Sequence, residues 1–167
     1  MFSKLKFTHF APIKPIMIWD GNCGFCHYWI IKWWLKTGDL IEYKKYQLVA
    51  SNFQDIDEDK FREAVRLIMP SGQIYSGPEA AYKAYQMASK FSFLIWLYTY
   101  FKPFRVLSDW GYQKVADNRY QLFEWTKRLF GKNPRTPQYY WVGYLLIAIV
   151  AVFLIATLFW FLLKTKS

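Results

Sequence analysis

The two cysteines of the chain, Cys23 and Cys26, stand where a strand-like apolar run gives way to a helix-like run. The first run covers residues 16–19, and the second covers residues 24–36. A Cys-x-x-Cys pair at the start of a helix suits dithiol–disulfide chemistry, because free N–H groups and the positive helix end favour a thiolate on the first cysteine. The second cysteine, one turn further on, is close enough to form a disulfide with it. The spacing therefore predicts that Cys23 attacks a substrate and that Cys26 resolves the mixed disulfide.

Three polar residues beside the cysteines have a chemical and a structural interpretation. A carboxylate at Asp20 suits the removal of a proton from the resolving thiol, but Asp-Gly is equally typical of a turn. Asn22 is predicted to cap the helix. His27 either favours the thiolate as a nearby cation or has a structural role. The pair itself has two alternative interpretations, a vestigial site or a shared metal site.

A metal site within the chain is not expected, and neither is a bound cofactor. A structural zinc ion takes four ligands, and only His9 and His27 accompany the cysteines, without a convincing spacing. Two cysteines three residues apart are also unlike the disulfide framework of a secreted protein. The first seven residues have no signal-peptide pattern. We therefore expect the domain to stay on the cytoplasmic side of a membrane.

The run from residue 139 to residue 163 contains no Asp, Glu, Lys or Arg. At about 1.5 Å per residue a helix of this length spans the roughly 30 Å hydrocarbon core of a bilayer. Tyr and Trp side chains at one end and Phe and Trp at the other resemble the aromatic belts of membrane helices. The basic residues before the run are Lys127, Arg128, Lys132 and Arg135, and those after it are Lys164 and Lys166. The sequence thus predicts a single-pass protein of the cell (inner) membrane with a cytoplasmic domain.

The formal net charge of +10 predicts affinity for an anionic partner. No nucleic-acid motif is present, so lipid is the favoured partner, together with a membrane protein or a membrane-adjacent protein substrate. The predicted organisation is an N-terminal extension (1–14), an α/β domain (15–132), a linker (133–138), the membrane helix (139–163) and a basic tail (164–167).

The α/β domain is predicted to have the order β-α-β-α-β-β-α, which gives a four-stranded mixed sheet flanked by helices. The predicted strands are residues 16–19, 41–46, 65–69 and 73–75, and the predicted helices are residues 24–36, 55–64, 78–88 and 110–129. Residues 91–101 are apolar but too short to span a bilayer, and they suit either the core or a membrane surface. The tryptophans at positions 19, 29, 33 and 34 are expected in the core.

Four segments resemble the DCC family, which is named for an Asp-x-x-Cys-x-x-Cys motif. Residues 20–26 (DGNCGFC) resemble the opening signature, and residues 71–80 resemble a hairpin-and-helix segment. Residues 109–120 resemble a late helix that ends in an Asn-Arg pair, here Asn118 and Arg119, and residues 130–132 also fit. The resemblance implies a thioredoxin-like fold and thiol-disulfide oxidoreductase activity over residues 16–132.

One position departs from thioredoxin-like enzymes. Such enzymes place a cis-proline before the third strand, whereas this chain has Val65 there and its nearest proline, Pro70, after the strand. The departure keeps a second function open, a non-catalytic accessory subunit of a larger membrane complex. For an oxidoreductase, Asn118 and Arg119 are expected to brace the dithiol loop or to pair with an acid. The alternative is that Arg119 is simply exposed.

Overall fold

The computed structural model describes residues 1–133, 135 and 142–152. The chain divides into two compact units, Met1–Phe123 and Glu124–Ser167. The described strands are β1 (Ile16–Trp19), β2 (Glu42–Lys45), β3 (Arg66–Ile68) and β4 (Ile74–Ser76). The described helices are α1 (Gly24–Thr37), α2 (Tyr46–Val49), α3 (Glu58–Glu63), α4 (Pro78–Met87), α5 (Phe93–Tyr100), α6 (Lys102–Asp117) and α7 (Arg119–Phe130). Two short 3-10 turns, Gly38–Leu40 and Ala50–Asn52, lie between them.

The four strands form one mixed sheet in the order β2-β1-β3-β4. Strand β1 is parallel to β2 and antiparallel to β3, and β3 is antiparallel to β4. A parallel pair needs a crossover, which α1 supplies, whereas the antiparallel pair β3–β4 closes through a short turn at residues 70–72. The predicted element order and the mixed sheet are confirmed, and both are consistent with a thioredoxin-like fold.

Strand β1 is the centre of two hydrophobic clusters, one on each face of the sheet. Its side chains alternate, so Ile16 and Ile18 join one cluster and Met17 and Trp19 join the other. Aromatic residues between β2 and β3, such as Phe61, cover the first face, and α1 and α4 cover the second. All four β1 residues are buried. The strand therefore ends in the protein interior, and the dithiol that follows it starts from a rigid position.

The N-terminal residues, predicted as an extension, contribute to the folded unit Met1–Phe123. Phe7 forms a β-bridge with Gln73, beside strand β4. Ser3 accepts a hydrogen bond at its carbonyl oxygen from Nη1 of Arg66, over 2.6 Å. Arg66 has no exposed surface, and it also donates to the carbonyl oxygen of Lys60. The N-terminal segment thus supplies one of the acceptors of a buried charge, beside the carbonyl oxygen of Lys60 and the carboxylate of Glu63.

Two sequence predictions need correction. The single helix predicted for residues 110–129 is two helices, α6 and α7, which meet at Asn118, the C-cap of α6. Pro103 follows the end of α5 and lies in the first turn of α6, where a missing N–H costs little. Of the tryptophans expected in the core, Trp19 is 5% exposed, but Trp29 and Trp34 are 37% and 41% exposed.

The segment of residues 91–101, predicted for the core or for a membrane surface, is buried in part and exposed in part. In α5, Ile95 and Tyr98 are buried. Several large apolar side chains of the same segment are exposed: Phe91, Phe93, Trp96, Tyr100 and Phe101. One side of this segment therefore completes the core and the other side is apolar and open.

The predicted membrane helix, residues 139–163, lies mostly outside the described residues, as do most of the linker and the whole basic tail. Its described part, residues 142–152, is helical. Over the described part of the chain, no helix combines the length and the apolarity needed to cross a membrane.

Candidate functional site

The candidate site is a disulfide between Cys23 and Cys26 at the start of α1. The two Cα atoms are 5.2 Å apart. Cys23 is the N-cap, with an extended backbone, and its Sγ accepts a hydrogen bond from the backbone N of Cys26 over 3.1 Å. The prediction that Asn22 caps the helix is therefore wrong, because the sulfur one residue later takes that place. The first turn of α1 contains no acidic residue, so nothing in it offsets the positive end of the helix.

Asp20 shapes the turn that leads into this helix start. Its carbonyl oxygen accepts from the backbone N of Cys23, and its Oδ1 accepts from the backbone N of Asn22, each over 3.1 Å. Oδ1 also accepts from the side chain of Gln47 over 3.1 Å. The turn role of Asp20 is thus present in the structure. Its role in proton transfer stays a prediction.

Asn118 and Arg119, at the junction of α6 and α7, make different contacts. Nη1 of Arg119 lies 3.4 Å from Oδ2 of Asp20, so Arg119 pairs with an acid, as one of the sequence interpretations predicted. The side chain of Asn118 instead donates to the carbonyl oxygen of Lys114, over 2.8 Å, and closes α6. Arg119 is the first residue of α7, directly after the helix break at Asn118.

The two sulfurs differ in their surroundings. Cys23 is 9% exposed, whereas Cys26 is partly exposed. The ring of Phe123 packs against the Cα atom of Gly24, since a Cβ atom added there would lie 2.6 Å from Cε1 of that ring. Phe123 of α7 therefore contacts Gly24, the first residue of α1, next to Cys23.

An apolar pocket of about 230 Å³ opens beside Cys26. Its apolar and aromatic lining comes from β1, α1, the residues before β3, and α6: Trp19, Phe25, Trp29, Ile30, Trp33, Phe61, Ala64, Val65, Tyr112, Val115 and Ala116. Polar groups from Asp20, Arg62, Glu63 and Arg119 also line it. This pocket was not predicted. The sequence feature that indicates it is the spacing of Phe25, Trp29 and Trp33, which places three aromatic rings on one face of α1.

Val65 occupies the position before β3, as the sequence predicted, and it lines the same pocket as Cys26. Its backbone N donates to the hydroxyl oxygen of Tyr112 over 3.0 Å. Burial raises the pKa of this Tyr112 hydroxyl, so the phenol that accepts this hydrogen bond stays neutral. Val65 therefore contributes an apolar side chain to the pocket, and Tyr112 of α6 accepts the hydrogen bond from its N–H group.

The comparison with protein families agrees with this geometry. A family model for DCC1-like thiol-disulfide oxidoreductases matches residues 17–125, well over half of the chain. The chain belongs to this family. Comparisons with curated proteins and with solved structures give no match. The matched range contains all of β1 except Ile16, the Cys23–Cys26 pair and Arg119, so the DCC1-like domain includes the whole candidate site.

The two histidines of this DCC1-like chain lie apart from any metal-binding arrangement in the structure. His27 stacks on the ring of Trp19, with centroids 5.4 Å apart. The backbone N of His9 donates to Asp55. Among residues 1–133, 135 and 142–152, no group of three His, Cys, Asp or Glu side chains is placed to hold a metal ion.

Proposed function

We propose that this chain is a thiol-disulfide oxidoreductase held at the cytoplasmic face of the cell (inner) membrane, and that it exchanges disulfides with a protein near that membrane. The observation that carries the proposal is the Cys23–Cys26 disulfide at the start of α1, with Sγ of Cys23 accepting the N–H of Cys26. A substrate thiolate attacks one sulfur, the S–S bond breaks, and the other sulfur leaves as a thiolate. A second substrate thiol then releases the first as a substrate disulfide, so two electrons pass to the dithiol.

Asp20 is proposed to assist the proton transfers of this cycle. Its carboxylate lines the pocket that Cys26 also lines, and it is held in place by Asn22, Gln47 and Arg119. A carboxylate fixed so close to a dithiol suits the uptake of the proton that a thiol loses before it attacks.

Membrane attachment is proposed from three features. The sequence has the charge-free run at residues 139–163 and a formal net charge of +10. Helices α5 and α6 add exposed apolar side chains, among them Trp96, Leu107 and Trp110. Basic charge beside exposed aromatic rings suits the surface of an anionic bilayer.

The test is the midpoint reduction potential of the dithiol in the full-length protein, in mild detergent. Thiol trapping across a glutathione or dithiothreitol series should show a reversible two-electron transition between roughly −120 and −270 mV, the range of exchange proteins. Cys23→Ser and Cys26→Ser should each abolish the transition and multiple-turnover exchange with a model disulfide. If the wild-type pair forms no reversible disulfide at any potential, the oxidoreductase proposal is wrong.

The exposed apolar residues of α5 and α6 favour a second candidate function, that of an accessory subunit of a membrane complex. A stoichiometric partner in a detergent extract, retained by Cys23→Ser but lost on Trp96→Ser or Trp110→Ser, would support it. A monomer with exchange activity would support the oxidoreductase instead.

A further inference from the structure

We propose that Arg119 sets the reduction potential of the Cys23–Cys26 pair by neutralising the carboxylate of Asp20 beside it. Arg119 acts through Asp20, so it is a positioning residue rather than a catalytic one. This inference rests on the proposed dithiol exchange and goes beyond it, because it assigns the group that decides how readily the disulfide takes up two electrons.

The carboxylate of Asp20 is held close to the sulfurs. Its Oδ1 accepts from the backbone N of Asn22 and from the side chain of Gln47, each over 3.1 Å. The carbonyl oxygen of the same residue accepts from the backbone N of Cys23, and its side chain lines the pocket that Cys26 also lines. The Asp20 side chain is only 13% exposed. Since solvent screens a mostly buried charge weakly, this carboxylate acts on the sulfurs.

Arg119 supplies the cation that faces this carboxylate. Its Nη1 lies 3.4 Å from Oδ2 of Asp20, whereas the other two side-chain contacts of that carboxylate use Oδ1. Arg119 begins α7, and it lines the pocket together with Asp20 and Cys26. An arginine guanidinium stays charged in proteins, so it balances the carboxylate. The dithiol therefore lies beside a matched pair of charges and not beside a lone negative charge.

The other charged residues of the pocket, Arg62 and Glu63, have partners outside it. Nη1 of Arg62 lies 3.4 Å from Oδ1 of Asp59, and Oε1 of Glu63 lies 3.0 Å from Nζ of Lys60. Neither Asp59 nor Lys60 lines the pocket. In the described part of the chain, the ion pair at Asp20 is therefore the one that has both members in the pocket. A change of charge in this pair should alter the field at the sulfurs most directly.

The balance of charge matters most in the reduced state. Reduction breaks the S–S bond and adds two electrons with two protons, or with one proton where one sulfur stays a thiolate. The start of α1 favours such a thiolate. A lone carboxylate at Asp20 would repel it, whereas a carboxylate paired with Arg119 does not. Because a stabilised reduced form makes a disulfide more oxidising, Arg119 should raise the reduction potential of the pair.

The test is the equilibrium of the full-length protein with glutathione or dithiothreitol in mild detergent, measured by thiol trapping. Arg119→Gln should shift this equilibrium about tenfold toward the disulfide, which is a reduction potential about 30 mV more negative for a two-electron couple. Asp20→Asn removes the opposite charge and keeps one side-chain oxygen, so it should shift the equilibrium toward the dithiol. The double variant and Arg119→Lys, in which the charges again balance, should lie within about twofold of the wild type.

The direction of the two shifts distinguishes a role in charge from a role in structure. If the pair only held the turn, Arg119→Gln and Asp20→Asn would loosen the same turn and move the equilibrium the same way. Opposite shifts support the inference, and shifts in one direction, or none, overturn it. The proton transfer proposed for Asp20 affects rates and not this equilibrium. The alkylation of the reduced protein gives a second measurement, since its pH profile should move to higher pH in Arg119→Gln and to lower pH in Asp20→Asn.

Arg128→Gln is the matched control. It removes the same charge from an exposed position of the same helix, and Arg128 does not line the pocket. This variant should keep the wild-type equilibrium, and a shift equal to that of Arg119→Gln would overturn the assignment. Should Arg119→Gln fail to fold, the direction of the Asp20→Asn shift still decides between the two roles. A wild-type pair that forms no reversible disulfide refutes the proposed function and this inference together, whereas a reversible pair that Arg119→Gln leaves unshifted refutes the inference alone.

Discussion

Gly24→Ala should destabilise the protein, although alanine is the better helix former. A Cβ atom at this position would lie 2.6 Å from Cε1, 3.0 Å from Cζ and 3.1 Å from Cδ1 of Phe123. Replacing glycine inside a helix stabilises by about 0.5–1 kcal/mol, whereas overpacking costs about 1–3 kcal/mol. Since the contact is with a ring held on α7, we expect the overpacking to be larger. The net loss should be about 1 kcal/mol in the free energy of unfolding.

The assay is urea unfolding of the oxidised full-length protein, with Gly111→Ala as the matched control. Gly111 lies within α6, and an added Cβ there would have no neighbour within 4 Å, so this variant should stabilise by about 0.5–1 kcal/mol. Phe123→Leu shortens the ring side chain and should relieve part of the loss when combined with Gly24→Ala. Gly24→Ala should also speed the alkylation of Cys23 in a Cys26→Ser background. The reasoning is refuted if Gly24→Ala stabilises the protein as much as Gly111→Ala does.

Three further predictions concern the polar groups around the core. Burial alone would raise the pKa of Glu63, but hydrogen bonds from Ser3 and Lys60 outweigh it and lower the pKa from 4.5 to about 2. This group therefore stabilises the fold fully above pH 4.5 and loses that effect progressively as the pH falls through 2. Its side chain is 33% exposed, so urea unfolding should show that Glu63→Gln loses about 1–2 kcal/mol at pH 7 and clearly less, but not zero, at pH 3. Tyr98→Phe removes a 2.6 Å hydrogen bond to the buried Asp109 carboxylate and should cost about 1–3 kcal/mol by thermal unfolding, while an unchanged melting temperature would contradict the role of that bond. Arg66→Ala removes a fully buried side chain and leaves its carbonyl acceptors unpaired, so denaturation should show a loss of about 3–5 kcal/mol, and a loss below 1 kcal/mol would contradict that account.

Local signals in the sequence predicted much of the fold. The apolar run that became β1, the Cys-x-x-Cys pair at the start of α1, the turn before β4 and Pro78 at the start of α4 all depend on neighbours in the chain. These are the cases in which backbone preference and packing agree.

Of the missed features, the pocket depends on residues far apart in the sequence, whereas the helix break and the helix cap depend on local geometry that the residue pattern does not show. The periodicity of residues 110–129 continues across Asn118, so the break between α6 and α7 is not visible in the pattern. The sulfur of Cys23 caps α1 in place of Asn22, because the turn at Asp20 places Cys23 at the start of the helix. The pocket combines α1 with the residues before β3 and with α6, and a single periodicity cannot show that they meet.

The N-terminal segment has a consequence for the order in which the domain is completed during synthesis. Ser3 accepts a hydrogen bond from the buried Arg66, and Lys4 forms an ion pair with Asp109, 105 residues later. Ser3 and Lys4 therefore find these partners only after 63 and 105 further residues have been made. Contacts this far apart in the chain form slowly, because a long loop must close first. A nascent chain that stops before Asp109 should consequently lack the Lys4 ion pair and leave this part of the segment open to proteases and chaperones, while the strands have already been made.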